Sequence, residues 1–165
     1  MTIINKEILK KYALNYIEKY NSLKKNLKYV LLRKVKKNII NNNENIKKYE
    51  LDIIEIIKEL EDQKIINDDV YANSKIYSYL NLGKSKQAIK YNLLKKGVEK
   101  EKIEKAIDKF ENEIPNLEHN SAIIYARKKK LGQYGNGKNN KEKDLAKMAR
   151  AGFNYGVALK VLGFK

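Results

Sequence analysis

The spacing in this chain that most invites chemistry is Gly132-Gln133-Tyr134-Gly135-Asn136-Gly137-Lys138-Asn139, a Gly-x4-Gly-Lys array. Glycines at that spacing let backbone N–H groups curl around phosphate, with the lysine on the terminal phosphoryl groups. Magnesium needs a Ser or Thr at the next position, and Asn139 stands there instead. The loop also follows a basic helical stretch, and no apolar strand ending in Asp offers a second metal ligand. The segment therefore reads as a flexible connection between helices. Other catalytic constellations are thinner still. Glu55 and Glu59 sit one helical turn apart with no sign of a pocket, so they read as surface. A single histidine, His119, and the absence of cysteine remove Cys-His nucleophiles, disulfides and cysteine-ligated metals. No cofactor and no metal site is expected, and the chain is read as a non-enzyme.

What remains is charge. The formal net charge is +16, and all but three of the 36 basic residues are lysine. The preference for lysine fits an AT-rich coding bias, but the shortage of acids does not, so the surplus points to a polyanionic or acidic partner. It is also sorted. Residues 22–37 carry seven basic side chains and no acid, and residues 84–96 carry five and none. Residues 50–62, by contrast, hold six acids and one lysine. The candidate binding residues are Lys28, Arg33 and Lys34 in the first basic segment and Lys84, Lys90, Lys95 and Lys96 in the second. To these are added the run Arg127-Lys128-Lys129-Lys130 and Arg150, whose planar fork suits carboxylate or phosphate. Most of the 12 tyrosines fall at core-facing or flanking helix positions, notably Tyr12, Tyr16 and Tyr20. Tyr29 and Tyr91 are the exceptions, lying inside the basic segments where a ring could stack on a base.

These residues need helices to position them, and the sequence supplies helix-period patterns almost end to end. Ile8, Leu9, Tyr12, Ala13, Tyr16 and Ile17 share one face, and Ser22 is the expected cap of a second helix bearing Leu23, Leu27, Val30 and Leu31. The Asn-rich loop 38–43 precedes a third, with Tyr49, Ile53, Ile56, Ile57 and Leu60 inward. Asn67-Asp68-Asp69 starts a fourth helix carrying Ala72, Ile76, Tyr79 and Leu80, and Gly83 closes it. A fifth runs through Ile89 and Leu93 to a left-handed cap at Gly97. The sixth uses Ile103, Ala106, Ile107 and Phe110; Pro115 then opens a long helix through Ile124 and Leu131, and two short helices follow. Leu27-Lys28-Tyr29-Val30-Leu31-Leu32-Arg33-Lys34 returns 62 residues later as Ile89-Lys90-Tyr91-Asn92-Leu93-Leu94-Lys95-Lys96. Leu145–Phe153 is a weaker third copy, its Gly152-Phe153 matching Gly97-Val98. A period of that length marks a repeated supersecondary unit. The expected architecture is all-α, three tandem three-helix repeats at 1–63, 64–114 and 115–165, with the basic second helices aligned in one positive stripe.

The segments Leu27–Lys34 after Asn21-Ser22, Asn67–Ala72, Gly83-Lys84-Ser85, Leu93–Val98, Tyr125–Gly132 and Ala149-Arg150-Ala151-Gly152-Phe153-Asn154-Tyr155 fall in the order seen in RecX regulatory proteins, and the chain resembles that family over most of its length. The first unit departs most, with Val35 where the second has Gly97. The resemblance implies an elongated, curved array that binds the RecA recombinase in the groove of its filament on single-stranded DNA. It implies inhibition of strand exchange and of the RecA ATPase, limited filament growth, and no catalysis of its own. A monomer in the cytoplasm is expected; no apolar run reaches the ~20 residues of a membrane span. The competing expectation is a module that binds DNA directly, because a three-helix unit with a basic second or third helix resembles helix-turn-helix architecture.

Overall fold

A computed structural model describes residues 4–38, 43–137 and 140–164. Among these residues there are nine α-helices, one 3-10 turn and no strand, an all-α chain of three-helix repeats. The helices are α1 (Lys6–Lys19), α2 (Lys24–Asn38), α3 (Asn43–Asp62), α4 (Asp68–Asn81), α5 (Lys86–Lys96), α6 (Lys100–Glu113), α7 (Leu117–Lys129), α8 (Lys141–Arg150) and α9 (Tyr155–Leu162), with the 3-10 turn at Gly132–Tyr134 between α7 and α8. None of them is long and apolar enough to cross a membrane. The chain divides into two compact units, Met1–Tyr71 and Ala72–Lys165, and the division falls within α4.

In the first unit, Leu9 and Ala13 of α1, Leu27, Leu31 and Val35 of α2, and Ile53, Ile56 and Leu60 of α3 are completely buried together. These positions recur at three- and four-residue steps, so each helix turns one apolar face inward. Asn5 caps α1, its Oδ1 accepting the Ile8 N–H at 2.9 Å. Lys6 and Lys10 of α1 reach Glu55 and Glu59 of α3, each pair at 2.6 Å. Those two carboxylates thus hold lysines on a neighbouring helix, and the Lys10 hydrogen bond draws the Glu59 carboxyl below its ordinary range. Tyr12 and Tyr16 lie half-buried against this core, whereas Tyr20 is exposed and rests on Tyr16 with ring centroids 5.1 Å apart.

Ser22 does not cap α2. The Lys24 N–H at the start of that helix donates instead to Asp68 Oδ1, 3.1 Å away, while Ser22 Oγ donates to the Leu23 carbonyl and accepts from Asn26. An ionised carboxylate is the stronger acceptor at a helix N-terminus, so the acid from the first turn of α4 takes that place. Of the expected Asn-rich loop, residues 39–42 lie outside the described residues.

In the second unit, Ser85 caps α5 and Gly97 closes it at φ +93°. The Val98 N–H then reaches back to the Leu93 carbonyl at 3.1 Å. The same closure recurs at Gly152 (φ +88°), where the Phe153 N–H reaches the Met148 carbonyl, also at 3.1 Å. The third sequence copy is therefore a copy in conformation too. The α7 helix stops before Leu131, against the expectation of one helix through it. Lys130 takes the left-handed conformation at φ +54°, and its successor Leu131 turns into a core of Ala122, Ala126, Met148, Phe153, Ala158, Val161 and Leu162.

Candidate nucleic-acid and protein interface

The Gly-rich segment is an ordered turn rather than a loose connection where it begins. The Gly132 N–H donates to Asp144 Oδ2 at 2.9 Å, and Asp144 is buried. A side chain on Gly132 would meet the Leu162 carbonyl at 2.5 Å, so this glycine serves close packing on α9. Its amide faces a carboxylate, which is opposite to what a phosphate cradle needs. Lys138 and Asn139 lie outside the described residues.

Part of the basic charge is neutralised within the chain. Lys6, Lys10, Lys24, Lys86, Lys100, Lys109 and Lys147 are ion-paired. By contrast, none of the twelve sequence-predicted residues has a carboxylate partner among the described residues. Lys34 lies over the Tyr12 ring, Lys84 over Tyr79 and Arg127 over Tyr134, at 5.2, 5.4 and 5.3 Å from the ring centroids. Aromatic faces orient these cations without cancelling their charge. Arg150 Nε donates to the Ala146 carbonyl, 3.3 Å away and one turn earlier on α8.

Two lysines that sequence reasoning left aside hold the repeats. Lys24 and Lys86 stand 62 residues apart, each the first residue of a second helix. Lys24 Nζ pairs with Glu61 in the last turn of α3 while its N–H binds Asp68. Lys86 Nζ pairs with Glu111 in the last turn of α6 while its N–H binds Glu118 Oε2 at 3.2 Å in the first turn of α7. One residue thus ties the third helix of its own repeat and the first helix of the next. Burial pushes the Glu118 carboxyl up, and the Lys86 N–H opposes that shift; the hydrogen bond to Glu111 raises Lys86. Such paired roles need an alignment of the repeats to be seen, and the common 62-residue offset was the available signal.

Within residues 72–165 two further bonds close the same junction. Ser85 Oγ donates to the Ala151 carbonyl at 2.6 Å, and Ser121 Oγ donates to the Lys84 carbonyl at 2.7 Å. Both serines are buried. Their bonds fix the start of α5 against α7 and the end of α8, and two adjoining clefts result. One, of about 380 Å³, is lined by Leu82, Lys84, Ala88, Tyr125, Lys128 and Lys129, among others. The other, of about 310 Å³, is lined by Gln87, Tyr91, Asn92, Arg150 and Gly152, and the two share Ala88 and Ala151. The fold therefore brings together Lys84, Lys128, Lys129 and Arg150 from three separate sequence segments. Lys90, Lys95, Lys96, Arg127 and Lys130 belong to the same unit but line neither cleft. In the first unit, Lys28 lines a hollow with Lys24, Lys25, Ile54, Ile57 and Lys58, outside which Arg33 and Lys34 lie. Tyr125, Gln87 and Leu82 were missed because only the packing of α5, α7 and α8 makes the clefts that they line together with the cations. Among the described residues no group of three or more His, Asp or Glu could hold a metal ion.

A family model described as RecX, second three-helix domain, matches residues 67–107, which span α4, α5 and most of α6. The crystal structure of RecX from Lactobacillus salivarius superposes with a TM-score of 0.70 at 23% identity, covering 96% of this chain and 94% of that one. That match establishes the fold. The regulatory protein RecX of Myxococcus xanthus (strain DK1622) is 34% identical over 158 residues, covering 93% of this chain and 83% of the relative. With that identity over that length, this chain belongs to the RecX family of regulatory proteins.

Proposed function

We propose that this protein regulates the RecA recombinase by binding it and its filament on single-stranded DNA, inhibiting ATP hydrolysis and strand exchange and limiting filament extension. The observation that carries the reading is that all twelve candidate cations lack carboxylate partners among the described residues, in a chain of this family. A polymer of protein on DNA offers acidic side chains and phosphates at a regular spacing. The three-helix units, which we place at 1–63, 64–114 and 115–165, each present part of the charge. Individually weak contacts made by linked modules add through effective concentration, so a monomer suffices to engage neighbouring subunits. The protein acts by occupancy rather than by chemistry of its own, a role that agrees with the name of the Myxococcus xanthus relative as a regulatory protein.

The test is the RecA ATPase on single-stranded DNA. Inhibition is expected at protein-to-RecA ratios well below one. The pairs Lys128→Glu with Lys129→Glu, and Lys95→Glu with Lys96→Glu, should each weaken inhibition roughly tenfold, since each exposed contact gives under about 1 kcal/mol and reversal adds repulsion. Helicity by circular dichroism should not change. Inhibition seen only at coating stoichiometry would sink the regulatory reading, and unchanged inhibition by both pairs would move the interface elsewhere.

A further inference from the structure

We propose that the adjoining clefts across α5, α7 and α8 bind a short stretch of single-stranded nucleic acid, one unpaired base lying on Tyr91 with the flanking phosphates at Arg150 and at Lys84, Lys128 and Lys129. This goes beyond recombinase regulation and does not rest on it.

Tyr91 is the starting point. Its side chain is among the most exposed of the large hydrophobic ones, at 64%, and it sits mid-helix on an acid-free α5. It has no ring, cation or hydrogen-bond partner among the described residues. Exposing an aromatic ring amid positive charge costs hydrophobic burial and attracts what offers both a π-face and phosphate, which is an unstacked nucleotide. Gln87, one turn earlier on α5, lines the same cleft and keeps its amide uncommitted. Asn92 donates to the Ala88 carbonyl at 2.6 Å, which leaves its Oδ1 free to accept. The cleft that holds Tyr91 therefore also offers a base a donor and an acceptor. Arg150 lines that cleft too, and the lysines line its continuation past Ala88 and Ala151.

Size agrees. Clefts of about 310 and 380 Å³ stand at the small end of the roughly 300–1,000 Å³ of small-molecule sites. Each accepts a base or a sugar-phosphate, not a folded ligand. A duplex keeps its bases stacked and paired, so it could use the cations but not the ring. An acidic peptide would satisfy the cations and could pair its main chain with both amides, but its carboxylate side chains offer no π-face to Tyr91. The repeat supplies an internal comparison: Tyr29, equally exposed at 63%, occupies the matching position on α2. There Lys25 replaces Gln87 and Val30 replaces Asn92, so the first repeat keeps ring and charge without the amides. It offers stacking alone, and the site belongs to Tyr91.

The experiment uses the whole protein without recombinase, titrated against fluorescently labelled oligothymidine, a duplex of equal length and an abasic oligonucleotide of equal charge. Tighter binding of oligothymidine than of either control is expected. Tyr91→Ala should weaken oligothymidine binding at least about fivefold, as expected for one stacked base, while duplex binding stays unchanged and Tyr91→Phe behaves as the parent. Equal binding of single strand and duplex overturns the proposal, as does an inert Tyr91→Ala with normal helicity. Poly-glutamate displacing oligothymidine at equal charge concentration also overturns it, in favour of an acidic protein segment. Single-strand binding lost in Tyr91→Ala with RecA inhibition intact separates this site from the regulatory reading, and binding without any RecA inhibition overturns that reading alone.

Discussion

Gly152 and Lys130 share a left-handed backbone and should answer substitution in opposite directions. A side chain on Gly152 would stand 2.6 Å from Ser85 Oγ, the hydroxyl that both caps α5 and reaches the Ala151 carbonyl. Gly152→Ala combines an unfavourable φ with that collision and should cost about 1–3 kcal/mol. Lys130 pays a side-chain penalty at a position that glycine usually fills, so Lys130→Gly should gain up to about 1 kcal/mol. Urea unfolding of both variants checks the pair; a neutral Gly152→Ala would mean that the α5–α8 junction yields easily. The glycine's closing role was legible from its match to Gly97. Its closeness to Ser85 was not, because no local pattern brings residues 85 and 152 together.

At the scale of elements, most of each helix was legible. Periodic apolar residues set the buried faces of α3 and α9, and Gly97 and Gly83 were read as punctuation for the reason the structure uses them, whereas the capping role of Ser85 was not read. The errors came where a distant group competes with a local one. Ser22 loses α2 to Asp68, and α7 ends early because Leu131 gains a core on leaving the helix. Glu118 offers a measurable consequence of such a distant acceptor. Its carboxyl is pushed above the ordinary value of 4.5 by burial, so the folded state holds the proton more tightly than the unfolded chain. Its contribution is therefore fully present below that ordinary value and is lost as pH rises through the raised one. Glu118→Gln keeps an oxygen for the Lys86 N–H and removes the charge, so the variant should gain on the parent as pH rises from about 4 to 7. Thermal melts across that range decide it; a constant difference between the two proteins would refute the burial argument. Glu118→Ala lacks the acceptor as well and should fall about 1 kcal/mol below Glu118→Gln at every pH.

For the whole molecule, the excess of positive charge was plain in the sequence, and so was its sorting onto acid-free segments. Which cations converge was not, since Lys84, Lys128 and Arg150 meet only through the packing of α5, α7 and α8. A net charge of +16 makes the folded chain repel itself, while paired lysines such as Lys6 and Lys10 offset only part of that. Salt should therefore act with two signs. Raising it from about 0.02 to 0.15 M shortens the screening distance to roughly 8 Å, which should raise the melting temperature of the free protein and weaken its hold on filament and DNA. Scanning calorimetry and binding titrations in the same buffers test both, and a melting temperature that falls with salt would refute the self-repulsion account. The unmatched cations have a practical corollary for anyone isolating the protein. Left with nothing of their own chain to neutralise them, they will carry cellular polyanions through a gentle purification. In a polypeptide that lacks tryptophan, even a little adhering nucleic acid would dominate the ultraviolet spectrum, so an activity assigned to the protein belongs to it only after a high-salt wash.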